Sequence, residues 1–226
     1  MLRVMGRLVV DTLFVAILLF VSAGTLAWLE AWVLLGALFF VRAVGALAVY
    51  RCNPDLMRER ARLPIHTQQP FGDRALLLAV LATGFLGLPL IAALDVFRWH
   101  ALPAPGPVVA AFGLMAFVLG WSLKSLALRA NTFAVTVVRL QAERAHAVIE
   151  SGPYAVVRHP FYAADPLILV GLSLWLRSYA AASCAVVPIA LMVCRLQLEE
   201  RFLRRALPGY DLYAGRVRYR LIPGVW

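Results

Sequence analysis

The chain of 226 residues is 62% hydrophobic and only 15% charged, and its formal net charge at pH 7 is +10. Soluble domains are about half apolar and about a quarter charged, so this composition excludes an ordinary soluble protein and indicates a membrane protein. The basic residues flank apolar segments instead of forming one water-facing patch, which argues against a nucleic-acid partner. The histidines lack the close spacing of a metal site, and we expect no protein-bound metal.

Apolar segments long enough to cross a bilayer recur along the chain. A bilayer core of about 30 Å requires about 20 helical residues. Four such runs lie between charged clusters: residues 8–26, 29–50, 75–94 and 107–128. A fifth run, 163–197, is long enough for two short helices that fold back near Arg177 and Ser178. We therefore predict an all-α fold, a polytopic membrane bundle of about five to six hydrophobic helices with tight hairpins at 26–29 and 177–178.

The first apolar run also resembles the start of a signal peptide, because basic residues precede it. Asp11 interrupts the run, however, and a second apolar segment follows almost at once. We therefore expect residues 8–26 to be retained as the first membrane helix.

The distribution of arginines predicts the orientation of this bundle. Arginine and lysine accumulate in short loops on the cytoplasmic side of membrane proteins. With six helices, the N-terminus, the 51–74 loop, the 129–162 loop and the C-terminal tail share one side and hold most of the arginines, whereas the opposite loops contain only Arg98 and Arg177. The long polar segments therefore face the cytoplasm, and we expect any soluble cofactor to bind there.

The segment "ESGPYAVVRHPFYAADP", residues 150–166, combines turn-forming and polar residues. Gly152 tolerates positive φ, Pro153 fixes its own φ, and Pro160 biases the preceding residue away from helix. The resulting irregular loop presents four polar side chains at the membrane surface: Tyr154, Arg158, His159 and Tyr162. From spacing alone, an interfacial loop that anchors in lipid headgroups is an equal alternative.

A second group of charged residues lies where the last apolar helix ends, in "VCRLQLEERFL". Arg195 and Glu199 are four residues apart and share a helix face, whereas Glu200 is turned by about 100° from Glu199. Charges at the end of a membrane helix indicate a functional site, although an ordinary ion pair at the membrane boundary is the alternative. A pocket between both groups would suit a zwitterionic cofactor and an apolar substrate.

These segments resemble the isoprenylcysteine carboxyl methyltransferases and their bacterial relatives, within the wider group of membrane phospholipid and thiol methyltransferases. The resemblance is carried by "NTF" at Asn131, by "HAVIESGPYAVVRHPFY", by "RLQLEERFL" and by the ending "LPGYDLYAGRVRYRLIPGVW". The second matches the pattern H-x-V-x-x-x-G-P-Y-x-x-x-R-H-P-x-Y, and the third matches R-x-x-x-E-E-x-x-L. Roughly the last hundred residues are covered, in the family's order.

The resemblance implies a cytoplasmic C-terminal pocket for S-adenosylmethionine. His146 and Val148 would lie along the nucleoside. The wall of the pocket at the methionine end would be formed by Tyr154, His159 and Pro160. Glu199 would meet polar groups of the methionine, and Gly152 and Tyr162 complete the implied cofactor set. Arg195 and Glu200 match positions that orient the methyl acceptor. Residues 1–128 would then be N-terminal transmembrane helices, and residues 129–226 one unit of cofactor-binding loop, helical hairpin and C-terminal cytoplasmic segment.

The sequence departs from the family pattern at Ala155, Phe161 and Ala164, where we expect the pocket rim to differ. The acceptor stays open: a membrane-embedded lipidic or small molecule that accepts the methyl group on a carboxylate, a thiol, an amine or a lipid. A monomer is compatible with the sequence. Two other functions are retained, a membrane reductase of the sterol type that uses NADPH and a non-enzymatic transporter or scaffold.

Overall fold

A computed structural model describes residues 1–60, 71–134 and 147–226 of the chain. Within these ranges the fold is all-α, without strands, as the sequence predicts. Among the described residues, five helices are long and apolar enough to cross a bilayer: Leu2–Ala23, Leu29–Cys52, Gly72–Trp99, Pro107–Ala130 and Tyr179–Ala206. A sixth apolar helix, Pro160–Trp175, is shorter. The prediction of a polytopic bundle with five to six hydrophobic helices is therefore confirmed.

The elements follow one another in a simple order. The first part of the chain forms α1 (Leu2–Ala23), α2 (Leu29–Cys52) and α3 (Pro54–Arg60). The third span joins α4 (Phe71–Val80), a π-helical segment Leu81–Gly87, α5 (Leu88–Leu94) and a π-helical end Asp95–Trp99. After it come α6 (Pro107–Ala130), a 3₁₀ turn at Gly152–Ala155, α7 (Pro160–Trp175), α8 (Tyr179–Cys184), α9 (Val186–Ala206) and α10 (Tyr210–Arg216).

Tight turns reverse the chain where the sequence predicted them. Gly24 ends α1 with φ 73, in the left-handed region that glycine adopts without strain. Arg177 adopts φ 66 between α7 and α8. The Ser178 hydroxyl caps α8 by accepting a hydrogen bond from the Ala181 N–H at 2.9 Å. Both predicted hairpins are therefore present.

Glycines allow α6 and α7 to pack backbone against backbone. A Cβ on Gly171 would lie 2.6 Å from the carbonyl oxygen of Gly113, and a Cβ on Gly120 would lie 2.9 Å from the carbonyl oxygen of Ala164. Between membrane helices there is little hydrophobic driving force, so close van der Waals contact at small residues supplies the attraction. This pair of helices fixes the position of the loop that precedes α7.

Polar contacts are found at both ends, or poles, of the helix bundle. At the pole of the hairpins, the Ser178 hydroxyl donates to Asp95 at 2.6 Å, and Trp175 Nε1 donates to the Glu30 carbonyl at 2.7 Å. At the opposite pole, the Asn53 amide donates to the Arg129 carbonyl at 2.9 Å. The polar segments before α7 and after α9 also lie at this second end, which is the polar pole of the bundle.

The last span extends beyond the apolar run. The sequence predicted two short helices within the apolar run 163–197, and α9 continues past the end of this run to Ala206. Glu199 and Glu200, whose spacing from Arg195 predicted this helical continuation, have hydrogen-bonding and ionic partners inside the protein.

Candidate functional site

A cavity of about 380 Å³ extends between the helices from the polar pole into the bundle. Its inner walls are apolar and include Val15, Leu34, Leu38, Phe85, Phe117 and Leu172. Its outer walls carry polar and aromatic side chains from the loop before α7, from α9 and from α10. A cavity with one polar and one apolar end suits a polar ligand beside an apolar one.

The loop before α7 forms one wall of the polar end. Gly152 has φ 59, a conformation in which glycine avoids the strain of a side chain. The 3₁₀ turn that follows buries Tyr154, whose carbonyl oxygen accepts a hydrogen bond from the Tyr213 hydroxyl at 2.7 Å. Burial raises the pKa of Tyr154 to about 12, so its phenol stays neutral at physiological pH.

His159 stands at the start of α7 and is buried. Its backbone N–H donates to the Arg220 carbonyl at 2.9 Å, which attaches the C-terminal segment to this wall. The imidazole Nε2 lies 3.5 Å from the Tyr210 hydroxyl. Burial lowers the pKa of His159 to about 4, so the imidazole is neutral at physiological pH.

A hydrogen-bonded network connects α4, α7 and α9 beside the cavity. The Tyr162 hydroxyl donates to Glu199 Oε2 at 2.5 Å and accepts from Arg195 Nη1 at 3.1 Å. Arg195 Nε also donates to Asp73 Oδ1 at 2.8 Å. Arg195 and Glu199 are thus held in place on one face of α9, as their four-residue spacing suggested.

Glu200 points away from this network. It is buried, and its carboxylate contacts three guanidinium groups: Arg158 at 2.9 Å, Arg220 at 2.5 Å and Arg204 at 3.4 Å. Arg158 also donates to the carbonyl oxygens of Val217 and Arg218. This arginine cluster around Glu200 joins α9, the loop before α7 and the C-terminal segment.

The structure brings most of the predicted site residues to one cavity. Six of them line it: Val148, Tyr154, His159, Tyr162, Arg195 and Glu199. Gly152, Pro160 and Glu200 do not line it, although Gly152 and Pro160 shape the wall formed by the loop. His146 lies outside the described residues.

Two of the positions that depart from the family pattern differ in their surroundings. Phe161 lines the cavity, whereas Ala164 is fully buried against α6 and does not line it. Ala155 is exposed. Of the three, only Phe161 contributes a side chain to the cavity wall.

Several residues of the site were missed in the sequence. Asp73 pairs with Arg195, and Arg60, Lys124, Tyr210 and Tyr213 line the cavity. The position of Lys124 in an apolar run was a usable signal, since a charge in a membrane helix indicates function. Asp73 and Arg60 gave no such signal, because the sequence places both in the basic 51–74 segment that was predicted as a loop, although the structure places them in α4 and α3.

Parts of the chain are similar to known proteins. The family described as "Phospholipid methyltransferase" matches residues 108–208. The cobalt-zinc-cadmium resistance protein CzcN of Cupriavidus metallidurans is 32% identical over 78 residues, which is 34% of this chain. The match spans 36% of the length of that relative. The family match confirms the predicted resemblance to the isoprenylcysteine and phospholipid methyltransferase group, and it supports a membrane methyltransferase.

Proposed function

We propose that this chain, a membrane protein whose residues 108–208 match the phospholipid methyltransferases, uses S-adenosylmethionine to methylate a membrane-associated acceptor. The acceptor would be an isoprenylcysteine-like carboxylate, a lipid or a thiol. The observation that carries the proposal is the cavity, which has a polar end built from the matched segments and an apolar end inside the bundle. The abundance of arginine at the polar pole supports a cytoplasmic position of the polar end.

The polar end fits a zwitterionic sulfonium cofactor. The Glu199 carboxylate faces the cavity and suits a positively charged group of the ligand. Tyr154 and His159 are buried and neutral, so they provide aromatic walls without repelling a cation. Val148 would lie along the nucleoside, and Gly152 and Pro160 would hold the loop in shape. His146 is retained as a nucleoside contact on the resemblance alone.

S-adenosylmethionine, when bound, supplies an electrophilic methyl group on a positively charged sulfur. The task of the protein is then to align the acceptor and to exclude water. Arg195 lines the cavity next to Glu199 and is fixed by Asp73 and Tyr162, so it can orient the accepting group without rearranging.

The carboxylates of Glu199 and Glu200, both on α9, would have different roles. A carboxylate acceptor needs no proton removal, whereas a thiol acceptor must lose its proton before or during transfer. The carboxylate of Glu199 lines the cavity and would accept the proton of a thiol acceptor. Glu200 would act as a positioning residue, because its arginine cluster holds the loop that carries His159.

The proposal is tested with the full chain in detergent. We expect saturable binding of S-adenosylhomocysteine, and transfer of a labelled methyl group from S-adenosylmethionine to a membrane component when membranes containing the protein are supplied with donor. Arg195→Ala should abolish transfer while cofactor binding persists. If S-adenosylhomocysteine does not bind and NADPH instead raises the thermal unfolding midpoint, the reductase interpretation replaces the methyltransferase.

A further inference from the structure

The C-terminal segment, residues 217–226, is fastened to the wall of the cavity. The Arg158 N–H donates to the Tyr219 carbonyl at 2.9 Å, and the His159 N–H donates to the Arg220 carbonyl at 2.9 Å. Arg158 and His159 both line the cavity. The C-terminal segment therefore backs the wall that the loop before α7 forms, and whatever holds this segment in place also holds that wall.

The end of this segment packs against the membrane-spanning part of the bundle. The N–H groups of Leu221 and Ile222 both donate to the Trp226 carbonyl, at 2.9 and 3.1 Å, which closes the chain into a compact turn. Leu221 is buried in one apolar cluster with Met192 and Leu196 of α9, and Trp226 packs against this cluster. Met192 lies five residues before the apolar run of α9 ends, which is about 7.5 Å toward the membrane centre. Amphipathic segments that lie on a bilayer reach a similar depth, about 5–10 Å into the boundary between headgroups and acyl chains.

Two aliphatic side chains of this turn point away from the protein. Ile222 is 55% exposed and Val225 is 76% exposed. Phe40, on the apolar membrane helix α2, is 71% exposed, so Val225 is as open as a side chain on the surface of a membrane span. Arg220 Cζ lies over the Trp226 ring, 5.1 Å from its centre. An aromatic ring beside a long cationic side chain is typical of the boundary between headgroups and acyl chains.

Exposed arginines border the same turn. Arg218 precedes the turn in the C-terminal segment, and Arg201 follows Glu200, whose carboxylate contacts Arg220 at 2.5 Å. Arg201 and Arg218 are exposed, and neither forms a salt bridge with a residue that the structure describes. Aliphatic side chains beside uncompensated cations are complementary to an anionic lipid leaflet, because acyl chains accept the former and headgroups attract the latter.

We propose that the C-terminal segment is an anchor that lies in the plane of the membrane, and that its partner is the anionic lipid surface of the leaflet at the polar pole. Ile222 and Val225 insert between acyl chains, while Arg201 and Arg218 contact headgroups. Because the segment also holds the loop before α7, lipid contact orders the cavity wall in advance and lowers the cost of ordering it when the cofactor binds. Contact with lipid requires no methyl transfer; only the effect on cofactor binding rests on the proposed function.

The first experiment measures the depth of position 225 in the full chain. A nitroxide is attached to Val225→Cys after alanine has replaced Cys52, Cys184 and Cys194, which are all free. The protein is placed in nanodiscs of phosphatidylcholine with one quarter phosphatidylglycerol. Collisions of the label with oxygen, which dissolves among acyl chains, are compared with collisions with a nickel chelate, which stays in water.

Two other labelled positions calibrate this depth. Phe40→Cys reports lipid, because Phe40 is exposed on a membrane helix, and Asp211→Cys reports water, because Asp211 is an exposed carboxylate in the first turn of α10. We expect the label at position 225 to collide mainly with oxygen, as at position 40. Mainly chelate collisions at position 225 overturn the anchor. Shielding from both reagents also overturns it, and indicates that another protein or a second copy of the chain covers this surface.

The second experiment measures binding of S-adenosylhomocysteine in nanodiscs with and without phosphatidylglycerol. We expect the wild type to bind about three- to tenfold more tightly with the anionic lipid, because the anchored wall no longer has to be ordered by the cofactor. Arg201→Gln combined with Arg218→Gln should remove most of this lipid dependence. Arg51→Gln combined with Arg58→Gln is the matched control and should keep it, since both arginines are exposed at the same pole outside the C-terminal segment.

The outcomes separate the anchor from the proposed function. Equal affinity of the wild type for S-adenosylhomocysteine in both nanodiscs overturns the coupling of lipid contact to the cavity wall, and so do equal effects of the two pairs of substitutions. If a pair does not fold, the wild-type comparison decides. Absence of S-adenosylhomocysteine binding in every nanodisc overturns the proposed methyltransferase, and the label at position 225 then still decides whether the segment lies in the membrane.

Discussion

His159 is a buried histidine that stays neutral because the protein excludes water from it. Its pKa in the folded protein is about 4, against about 6.5 in an unfolded chain. Between these values the unfolded chain binds a proton that the folded protein does not bind. The free energy of unfolding therefore rises as the pH increases from about 4 to about 6.5. Above about pH 6.5 this histidine is neutral in both states and no longer changes the free energy of unfolding. As the pH falls toward 4, about 3 kcal/mol is lost from this group.

We predict that His159→Gln reduces the pH dependence of unfolding between about pH 4 and pH 7, since glutamine does not titrate. The measurement is the free energy of unfolding in detergent across this window for wild type and variant. His100→Asn is the matched control, because His100 is exposed at the opposite pole and asparagine tolerates its left-handed φ of 49. If the free energy of unfolding of His159→Gln depends on pH as steeply as that of the wild type, groups other than His159 cause the loss of stability at low pH.

Glu199 and Glu200 are adjacent in sequence and differ in what they contact. Glu199→Gln should leave the fold intact and weaken S-adenosylhomocysteine binding about ten- to a hundredfold, because a charge-assisted contact is lost. Glu200→Gln should lower the free energy of unfolding by about 3 kcal/mol, because Arg158 loses its buried carboxylate. Binding isotherms and unfolding curves of both variants test whether Glu199 contributes to cofactor binding and Glu200 to the stability of the fold.

Glu200→Asp provides the control for the second residue. A shortened carboxylate should restore part of the stability lost in Glu200→Gln. The opposite result, wild-type stability of Glu200→Gln together with complete loss of methyl transfer, would make Glu200 a catalytic residue and contradict the positioning role.

At the level of elements, the contact between α6 and α7 depends on glycine. A Cβ at position 171 would lie 2.7 Å from the backbone nitrogen of Phe117, and backbone cannot move aside as a side chain can. We predict that Gly171→Ala destabilises the protein by about 1–3 kcal/mol through overpacking. The change is measured as a shift of the unfolding curve in detergent.

Gly36→Ala is the control for this contact. Gly36 lies within α2, and nothing is within 4 Å of the position that a Cβ would occupy. Alanine has the higher helix propensity, so this variant should be neutral or more stable by up to about 1 kcal/mol. Equal effects of both substitutions would mean that helix propensity, and not the contact with α6, determines the outcome.

At the scale of the whole molecule, the sequence predicted the bundle well because length and apolar content identify membrane helices directly. It also predicted that Glu199 and Glu200 point in different directions, since neighbouring helical residues are rotated by about 100°. It did not predict which of them faces the cavity, because that depends on how α9 is rotated against α4 and α7. The pairing of Asp73 with Arg195 spans 122 positions, and no local pattern encodes such a contact.

The orientation of the bundle in the membrane is a property of the whole molecule. The N-terminus, α3, the loop before α7 and the C-terminal segment share one pole, while Arg98 and Arg177 belong to the other pole. Positively charged segments are retained in the cytoplasm, so the pole with the polar end of the cavity should lie inside the cell. Only this orientation gives the proposed pocket direct access to cytoplasmic S-adenosylmethionine.

We predict that a green fluorescent protein fused after Trp226 fluoresces in a bacterial host, because this reporter folds in the cytoplasm. An alkaline phosphatase inserted at Pro103, in the loop between the third span and α6, should be active, because this enzyme requires the oxidising periplasm. The same phosphatase fused after Trp226 is the matched control and should be inactive at equal expression. Active phosphatase at Trp226 would place the cavity's polar end outside the cytoplasm, where a cytoplasmic methyl donor could not reach Glu199.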